Sequence, residues 1–450
     1  MRDPTAREAG LLCYNFVFHH INVVLQNLRG KRLKRVLGLL SAALCACAMV
    51  ACGGGNNGNT SVVTPNGNTI NNPKGTLTNR AYISNQFSGN LQIVDSANDS
   101  TAYYNSSYTN TSTTNQIVDL SVNIAVGISS TFMALSPNRA VTAVYDPSVV
   151  SIGLVDNSTQ VDSANVALPA WAAMAIFSPD STQVYVPTGN ATVSGSQPGA
   201  IQVISVSGAN ITTTYAVPSV RWIALNTAGT TMLAFADNSD SMWLINLSAT
   251  TITPVAIPGF SRPVGAFFSS DGNTAYVLNC GNQCGGSAPP SVSQFDVTSQ
   301  TITATVMVGG ATVGLLNGST LYTAGYAGGA NGTLDAVDIG SMTRTTATSL
   351  LINDGQQSVM ALNNNMLYIG AKTCSNSVTG CLSIVNTTSN SVIPPGPPLG
   401  PVTGLQSIPN RNVMYVIQGG LLNIYDTTNN TQLPTLGFRG ALYAVIQIDQ

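Results

Sequence analysis

Short apolar runs recur at a nearly constant spacing from residue 80 to the end of the chain. A first, β-rich run occurs eight times, as AYISN (81–85), VTAVY (141–145), VYVPT (184–188), MLAFA (232–236), AYVLN (275–279), LYTAG (321–325), LYIGA (367–371) and MYVIQ (414–418). Each is followed, after a loop, by a second apolar run that usually closes on Asp, Asn or Ser, such as LQIVD (91–95) or LNIYD (422–426). Aligned on the first runs, the copies are 61, 42, 48, 43, 46, 46 and 47 residues apart. Short strands repeated with a period in the forties predict a propeller or a solenoid.

Each unit can be divided into four strands. In the unit that starts at residue 258 these are VGAFF, TAYVLN, VSQFDV and TITATVMV, and the first two are joined by the hairpin signal SSDGN. The acidic residue that closes the second apolar run is followed by a small or polar segment in which its carboxylate can accept backbone N–H groups. We therefore predict turn roles, and no special chemistry, for Asp95, Asp156, Asp296, Asp338 and Asp426.

The segment SRPVGAFFSSDGNTAYVLN (261–279) closely resembles the repeat of the YVTN-type β-propeller proteins, a group similar to the lactonase-like and quinoprotein-like propellers. The resemblance implies an all-β fold, a closed ring of four-stranded antiparallel blades around a central channel. Eight pairs of runs predict eight blades; seven would result if the second unit were only a decorated connection. The chain starts on a second strand (AYISN) and ends on an innermost one (LYAVIQI, 442–448), so its first and last strands should share a blade. A polar insertion at 99–116 accounts for the long first step.

The N-terminal region reads as an export signal. The order is that of a secretory signal: basic KRLKR (31–35), then an apolar run (36–51), then Cys52 after small residues. The alternative is that the apolar run is a short membrane anchor. Met49–Cys52 resembles a bacterial lipobox, which implies lipidation of Cys52, with Cys47 as the rival, and Gly53 after the cysteine implies the outer membrane. We expect residues 1–30 to reflect a misassigned start or disorder, 31–52 to be the signal peptide, 53–77 a flexible tether, and 78–450 the propeller.

The charge of the chain restricts its binding partners, and its cysteines indicate its compartment. From Cys52 onward nine Lys and Arg stand against sixteen Asp, a net charge of −7, which disfavours binding to nucleic acid. The cysteines of the repeat region form two local pairs, Cys280/Cys284 and Cys374/Cys381. We predict two loop disulfides in an oxidising compartment, with a zinc site as the alternative.

The candidate binding residues lie in the loops that enter the inner strands. The resemblance implies that ligands meet the mouth of the channel, and these loops hold Trp171, Arg221, Trp222, Arg262, Asp354, Gln357 and Arg439. Arginine suits carboxylate or phosphate ligands and tryptophan offers a stacking face. Alternatively, the arginines pair with Asp or loop carbonyls and the tryptophans pack between blades.

The composition disfavours catalysis. From residue 53 onward the chain has neither His nor Glu, which removes the usual general acid–base groups. We predict no catalytic residue, no cofactor and no resident metal. We expect a monomeric, lipid-anchored module of the cell envelope, periplasmic or extracellular, that binds or scaffolds a protein, a glycan or a small anionic ligand and touches the membrane only through its anchor. The alternatives are a degenerate lactonase-type enzyme and a surface adhesion or matrix component.

Overall fold

The computed structural model describes residues 62–63, 69–70, 77–101, 123–127, 129–326, 331–374, 381–393, 400–434, 436, 438 and 441–449. The chain divides into two compact units, Met1–Asn71 and Asn72–Gln450. Within the first unit, Val62–Val63 pairs antiparallel with Thr69–Ile70. The second unit is a β-propeller of eight antiparallel blades.

Blades 1 to 4 are numbered along the chain, and their strands are given from the inside outward. Blade 1 consists of Leu442–Gln447, Arg80–Asn85, Asn90–Asp95 and an outer strand in two pieces, Ser100–Thr101 and Asn123–Ala125. Blade 2 consists of Phe132–Leu135, Val141–Asp146, Ser151–Asp156 and Val161–Ala167. Blade 3 consists of Ile176–Phe177, Gln183–Thr188, Ala200–Ser205 and Asn210–Ala216. Blade 4 consists of Val220–Leu225, Thr231–Ala236, Ser241–Asn246 and Val255–Pro258.

Blades 5 to 8 follow the same order. Blade 5 consists of Pro263–Phe268, Thr274–Asn279, Ser291–Asp296 and Thr301–Met307, with a short 3₁₀ helix, Gly281–Cys284, in one loop. Blade 6 consists of Val313–Asn317, Thr320–Tyr326, Gly332–Asp338 and a divided outer strand, Thr343–Arg344 and Leu350–Ile352. Blade 7 consists of Gln357–Asn363, Met366–Ala371, Leu382–Asn386 and Ser391–Ile393. Blade 8 consists of Val402–Ile408, Val413–Gln418, Leu421–Asp426 and Thr431–Leu433.

The blades form a closed ring. Every inner strand contacts the inner strands of the two neighbouring blades, and blade 8 contacts blade 1 as the others contact their neighbours. The prediction of eight blades with shared ends is confirmed, since the C-terminal strand Leu442–Gln447 pairs with Arg80–Asn85 at the centre of blade 1. The second sequence repeat, for which the alternative was a decorated connection, forms the complete four-stranded blade 2.

The repeated apolar runs are explained by packing between blades. Eight buried clusters occur, and each joins one blade to the next. In Arg80–Asn85, for example, Ala81 and Ile83 pack towards blade 8, whereas Tyr82 packs towards blade 2. Because both faces of the sheet are covered, the second strand of a blade is apolar at nearly every position instead of alternating.

Polar contacts reinforce the closure. The Arg80 guanidinium donates to both carboxylate oxygens of Asp449, at 2.7 and 2.9 Å, and the Arg80 backbone N–H donates to the same group at 2.8 Å. On the outer side of the seam, Arg411 and the Tyr415 hydroxyl both donate to the Asp99 carboxylate at 2.7 Å. The Arg80–Asp449 pair therefore ties the C-terminal strand to the N-terminal strand within blade 1, and the Asp99 contacts join blade 8 to blade 1.

The turn roles of the strand-closing aspartates are confirmed. Asp296 and Asp338 each accept a backbone N–H, from Ser299 and Ser341, and these bonds lower the pKa of both carboxyl groups. Asp95, Asp156 and Asp426 accept backbone N–H groups in the same way.

Candidate functional site

Two sets of loops share one side of the ring. Because the strands of a blade alternate in direction, the loops between second and third strands lie at the same end as the loops that enter the inner strands. We call this side the loop face. It carries both disulfides, Cys280–Cys284 in blade 5 and Cys374–Cys381 in blade 7, as predicted from the cysteine pairs.

Bulges interrupt the regular pairing of five inner strands where they meet the loop face. Extra residues interrupt the register at Arg221 in blade 4, Val264 in blade 5, Ser358 in blade 7 and Thr403 in blade 8. In blade 1 the register shifts between Leu442 and Val445, at Tyr443 and Ala444. A bulge leaves a residue unpaired and redirects its side chain. The mouth of the channel is thus surrounded by redirected side chains, a feature that the repeat pattern does not reveal.

Below the mouth, the channel wall is largely apolar. Most residues of the innermost strands are only half-buried, and the wall they form is rich in aliphatic and aromatic side chains. Examples are Met133, Phe267, Leu315 and Met360. Among the innermost strands that the structure describes, Arg221 at the mouth is the one charged residue.

Two of the predicted arginines are held by one loop. Arg221 pairs with Asp237 at 3.3 Å, and Arg262 Nε lies 3.7 Å from Asp240, at the two ends of the loop DNSD (237–240) in blade 4. The Arg262 backbone N–H also donates to Asp240 at 3.0 Å. This carboxylate helps hold Arg262 at a φ of 52°, a conformation that the following Pro263 disfavours.

The two predicted tryptophans differ in environment. Trp222 is half-buried among the apolar side chains between blades 4 and 5, and the Arg221 guanidinium lies 5.5 Å from its ring centroid. Trp171, in the loop from blade 2 to blade 3, is 68% exposed. Only Trp171 presents its ring freely to solvent on the loop face.

Two of the remaining predicted residues are buried. Asp354 and Gln357 are buried, and the Gln357 amide donates to the Asn353 carbonyl at 2.9 Å. Arg439 and residues 1–61, including Cys47 and Cys52, lie outside the described residues, as does most of the 99–116 insertion.

Sequence reasoning missed Lys372. This residue follows the second strand of blade 7, and its ammonium lies 5.9 Å from the centroid of the Tyr443 ring on the inner strand of blade 1. Its side chain is open to solvent but surrounded by the concave mouth, so desolvation lowers its pKa, and the charge of Arg221 lowers it further. Blade 8 separates blade 7 from blade 1, so Lys372 reaches the Tyr443 ring past the intervening blade.

Lys372 is the unpaired cation of this region. Across the described residues, the arginines bond to carboxylates or, for Arg139, to backbone carbonyls, whereas Lys372 has no ion pair or hydrogen bond. The one sequence signal was its rarity, since it is the only lysine after residue 74.

The structure gives no sign of a membrane-crossing helix or a metal cluster within its described ranges. No helix there is long and apolar enough to cross a bilayer. No group of three or more metal-ligating His, Cys, Asp or Glu side chains occurs there either.

Comparisons with known proteins agree on the fold alone. No protein-family model matches the chain, and no curated protein sequence matches it. Among solved structures, the dihydro-heme d1 dehydrogenase NirN in complex with DHE is similar with a TM-score of 0.62 at 9% identity, covering 84% of this chain and 76% of that one. Kuenenia stuttgartiensis hydrazine synthase has a TM-score of 0.48 at 14% identity, over 73% of this chain and 99% of that one. The propeller domain of Myceliophteria thermophila Cps50 (Swd1) has a TM-score of 0.48 at 10% identity, over 66% and 96%.

The fold and the disulfides define the class of protein: an all-β, eight-bladed propeller with two cross-linked loops on one face. Disulfides of this kind indicate an oxidising compartment outside the cytoplasm.

Proposed function

We propose that this protein is an exported, lipid-anchored β-propeller that binds a small anionic ligand at the mouth of its channel and does not catalyse a reaction. The observation that carries the proposal is Lys372, a solvent-accessible ammonium 5.9 Å from the Tyr443 ring with no carboxylate partner among the described residues. The charge of Arg221 lowers the pKa of Lys372 even though Asp237 lies 3.3 Å from Arg221, and an anion bound near both cations would offset that repulsion.

The chemistry of the mouth favours an anion with an apolar or aromatic part. Arg221 is about half exposed, as is its partner Asp237, and such surface pairs contribute little stability. Arg221 can therefore exchange Asp237 for a ligand carboxylate or phosphate. The aromatic rings of Trp222 and Tyr443 and the apolar wall below offer contacts to the rest of the ligand.

Binding is tested by calorimetric titration of the propeller with citrate and with inorganic phosphate. Lys372→Met should weaken binding by about 10- to 100-fold, the effect of losing one charged hydrogen bond. The matched control is Lys74→Met, in the segment 53–77 that the sequence predicts to be a tether, and this change should leave affinity unchanged. If the wild type binds neither anion, or if Lys372→Met binds as well as the control, the mouth is not an anion site.

Anchoring and the absence of catalysis have separate tests. Labelled palmitate should be incorporated by the wild type and lost in Cys52→Ser; incorporation that survives would move the lipidation site to Cys47. NirN, a dehydrogenase, is similar in fold, so catalysis deserves a direct assay. Lactone hydrolysis that disappears on replacing Asp237 or Asp240 at the mouth would favour the degenerate-enzyme alternative.

A second candidate function is docking of a protein on the loop face. Phe87, Val149 and Trp171, in loops of blades 1 and 2, are 81, 66 and 68% exposed. Exposed apolar side chains on one face are typical of interaction surfaces. Phe87→Ser with Trp171→Ser should abolish crosslinking to an envelope partner, whereas Val161→Ser with Val255→Ser, at exposed apolar positions on outer strands, should not.

A further inference from the structure

A cavity of about 220 Å³ lies between blades 6 and 7, on strands remote from the loop face. Its lining comes from the second and third strands of blade 6 and from the end of the third strand and the following turn of blade 7. The cavity coincides with the interruption of the blade 6 outer strand between Arg344 and Leu350. Thr345 and Thr346, which line it, belong to that interruption.

The interruption is held in place by a buried ion pair. The Asp335 carboxylate, fully buried, lies 2.7 Å from the Arg344 guanidinium and accepts hydrogen bonds from the Ser349 hydroxyl at 2.9 Å and the Gly309 N–H at 2.6 Å. These contacts fix both ends of the segment 344–349. The opening in the outer strand is therefore a built feature of blade 6.

Tyr322 differs from the other tyrosines at its place in the repeat. Tyr82, Tyr185, Tyr276, Tyr368 and Tyr415 are all buried between blades, whereas Tyr322 is only half-buried and lines the cavity. Its ring, with Leu334 and Val385, supplies an apolar surface inside the cavity.

The polar groups of the cavity are neutral and available. The side chains of Thr320, Tyr322 and Asn390 line it and make no hydrogen bond within the part of the chain that the structure describes. Together they offer two hydroxyl groups and one amide, each able to donate and to accept. No charged side chain lines the cavity. This lining suits an uncharged ligand that carries several hydroxyl groups.

The size restricts the ligand further. The volume corresponds to about seven water molecules at liquid density. It lies below the range of about 300–1,000 Å³ that is typical of sites for drug-sized molecules. A single six-membered ring with hydroxyl substituents has an apolar C–H face for the Tyr322 ring and a polar rim for the hydrogen-bonding groups.

We propose that the cavity between blades 6 and 7 is a binding site for one neutral sugar ring. The site is independent of the channel mouth, both in position and in chemistry. It gives the propeller a second ligand class, polyhydroxylated and uncharged, at its side.

The test is saturation-transfer NMR on the full propeller with D-glucose and N-acetyl-D-glucosamine, each at millimolar concentration. The variant Thr320→Val, Tyr322→Phe, Asn390→Gly removes the three free polar groups while keeping the side-chain volume of the first two and the positive φ of Asn390, 49°. Loss of three hydrogen bonds should weaken binding by more than about tenfold. The single variant Asn390→Gly, at an exposed turn, should weaken it in the same direction even if the triple variant is unstable.

The matched control is Thr274→Val with Tyr276→Phe, the corresponding positions of blade 5, where no such opening in the outer strand occurs. The control should retain the wild-type signal. Absence of saturation transfer to both sugars in the wild type would overturn the proposal, as would equal signals in the wild type and the Asn390→Gly variant.

Discussion

At the scale of single residues, the mouth is governed by which charges have partners. Arg221 and Arg262 form ion pairs with Asp237 and Asp240, as expected if these arginines have a structural role and do not bind a ligand. Lys372 has no such balance, and its lowered pKa records the cost of keeping a charge there. The proposed function therefore depends on Lys372, a residue that the repeat pattern does not single out.

The lowered pKa of Lys372 predicts a distinctive pH dependence. An anion binds the protonated ammonium, so affinity for citrate, which is fully ionised across the range, should fall as pH rises through a value below 10.5. In the free protein the sign is opposite: the unfolded chain holds this proton to higher pH than the folded one, so folding stability should rise with pH across that window. Lys372→Met should abolish both effects in titration calorimetry and in denaturant unfolding. A citrate affinity that is flat up to pH 10.5 would contradict the assignment.

At the scale of elements, the tyrosines of the repeat stabilise the packing between blades. Burial raises the pKa of Tyr185 to about 12 and raises the pKa values of Tyr82, Tyr368 and Tyr415 further. Their hydroxyls differ in partners: Tyr415 donates to Asp99, and Tyr368 donates to Asn430, whereas the buried Tyr82 hydroxyl has no partner within the described ranges.

This difference predicts the outcome of two identical substitutions. Tyr82→Phe removes an unpaired polar atom and should leave the free energy of unfolding at neutral pH within about 0.5 kcal/mol of the wild type, while Tyr415→Phe should lower it by about 1–2 kcal/mol. Because the tyrosines are neutral in the folded state to higher pH, stability should be lost from about pH 10 upward. In a series of denaturant titrations at increasing pH, Tyr82→Phe should shift the fall in the free energy of unfolding to higher pH. An unchanged pH dependence would show that Tyr82 does not contribute to this fall.

The loop disulfides are local elements with a separable contribution. Each closes a short ring, of five residues for Cys280–Cys284 and eight for Cys374–Cys381. Replacing either pair by serine should lower the free energy of unfolding by about 2 kcal/mol, because the unfolded chain regains freedom. Denaturant unfolding with and without reductant measures this: the reductant should no longer destabilise the variant that lacks both pairs. If reductant still destabilised that variant, the effect of reductant would not come from these two disulfides.

At the scale of the whole molecule, stability depends on closing the ring. The strand Leu442–Gln447 supplies the inner edge of blade 1, and Leu442 and Val445 belong to the cluster that joins blades 8 and 1. Without that strand, Arg80–Asn85 becomes an unpaired edge next to an exposed apolar surface.

Ending the chain at residue 440 should therefore abolish the monomeric, cooperatively unfolding state. We expect oligomers in size-exclusion chromatography and a lower, broader thermal transition; adding a peptide of residues 440–450 should restore the monomer. Asp449→Asn, which weakens only the pairing with Arg80, should cost about 1–3 kcal/mol, whereas Asp237→Asn at an exposed pair should cost less than about 1 kcal/mol. A truncated chain that stays monomeric with an unchanged transition would show that closure is not essential.

The sequence by itself determined the second and third strands of each blade to within about two residues, the shared closing blade and the turn aspartates, and it favoured eight blades over seven and two disulfides over a zinc site. These features depend on local patterns: apolar runs buried on both faces, hairpin signals, and cysteines a few residues apart. Only the tertiary structure decided which loop residues meet. Lys372, Arg221 and Tyr443 are far apart in sequence and in different blades, and neither the bulges that redirect side chains at the mouth nor the buried positions of Asp354 and Gln357 leave a periodic signal. The cavity beside Tyr322 likewise exists because an interrupted strand in one blade faces a turn of the next. Periodicity encodes contacts between neighbouring strands, whereas a site over the channel is set by the ring as a whole.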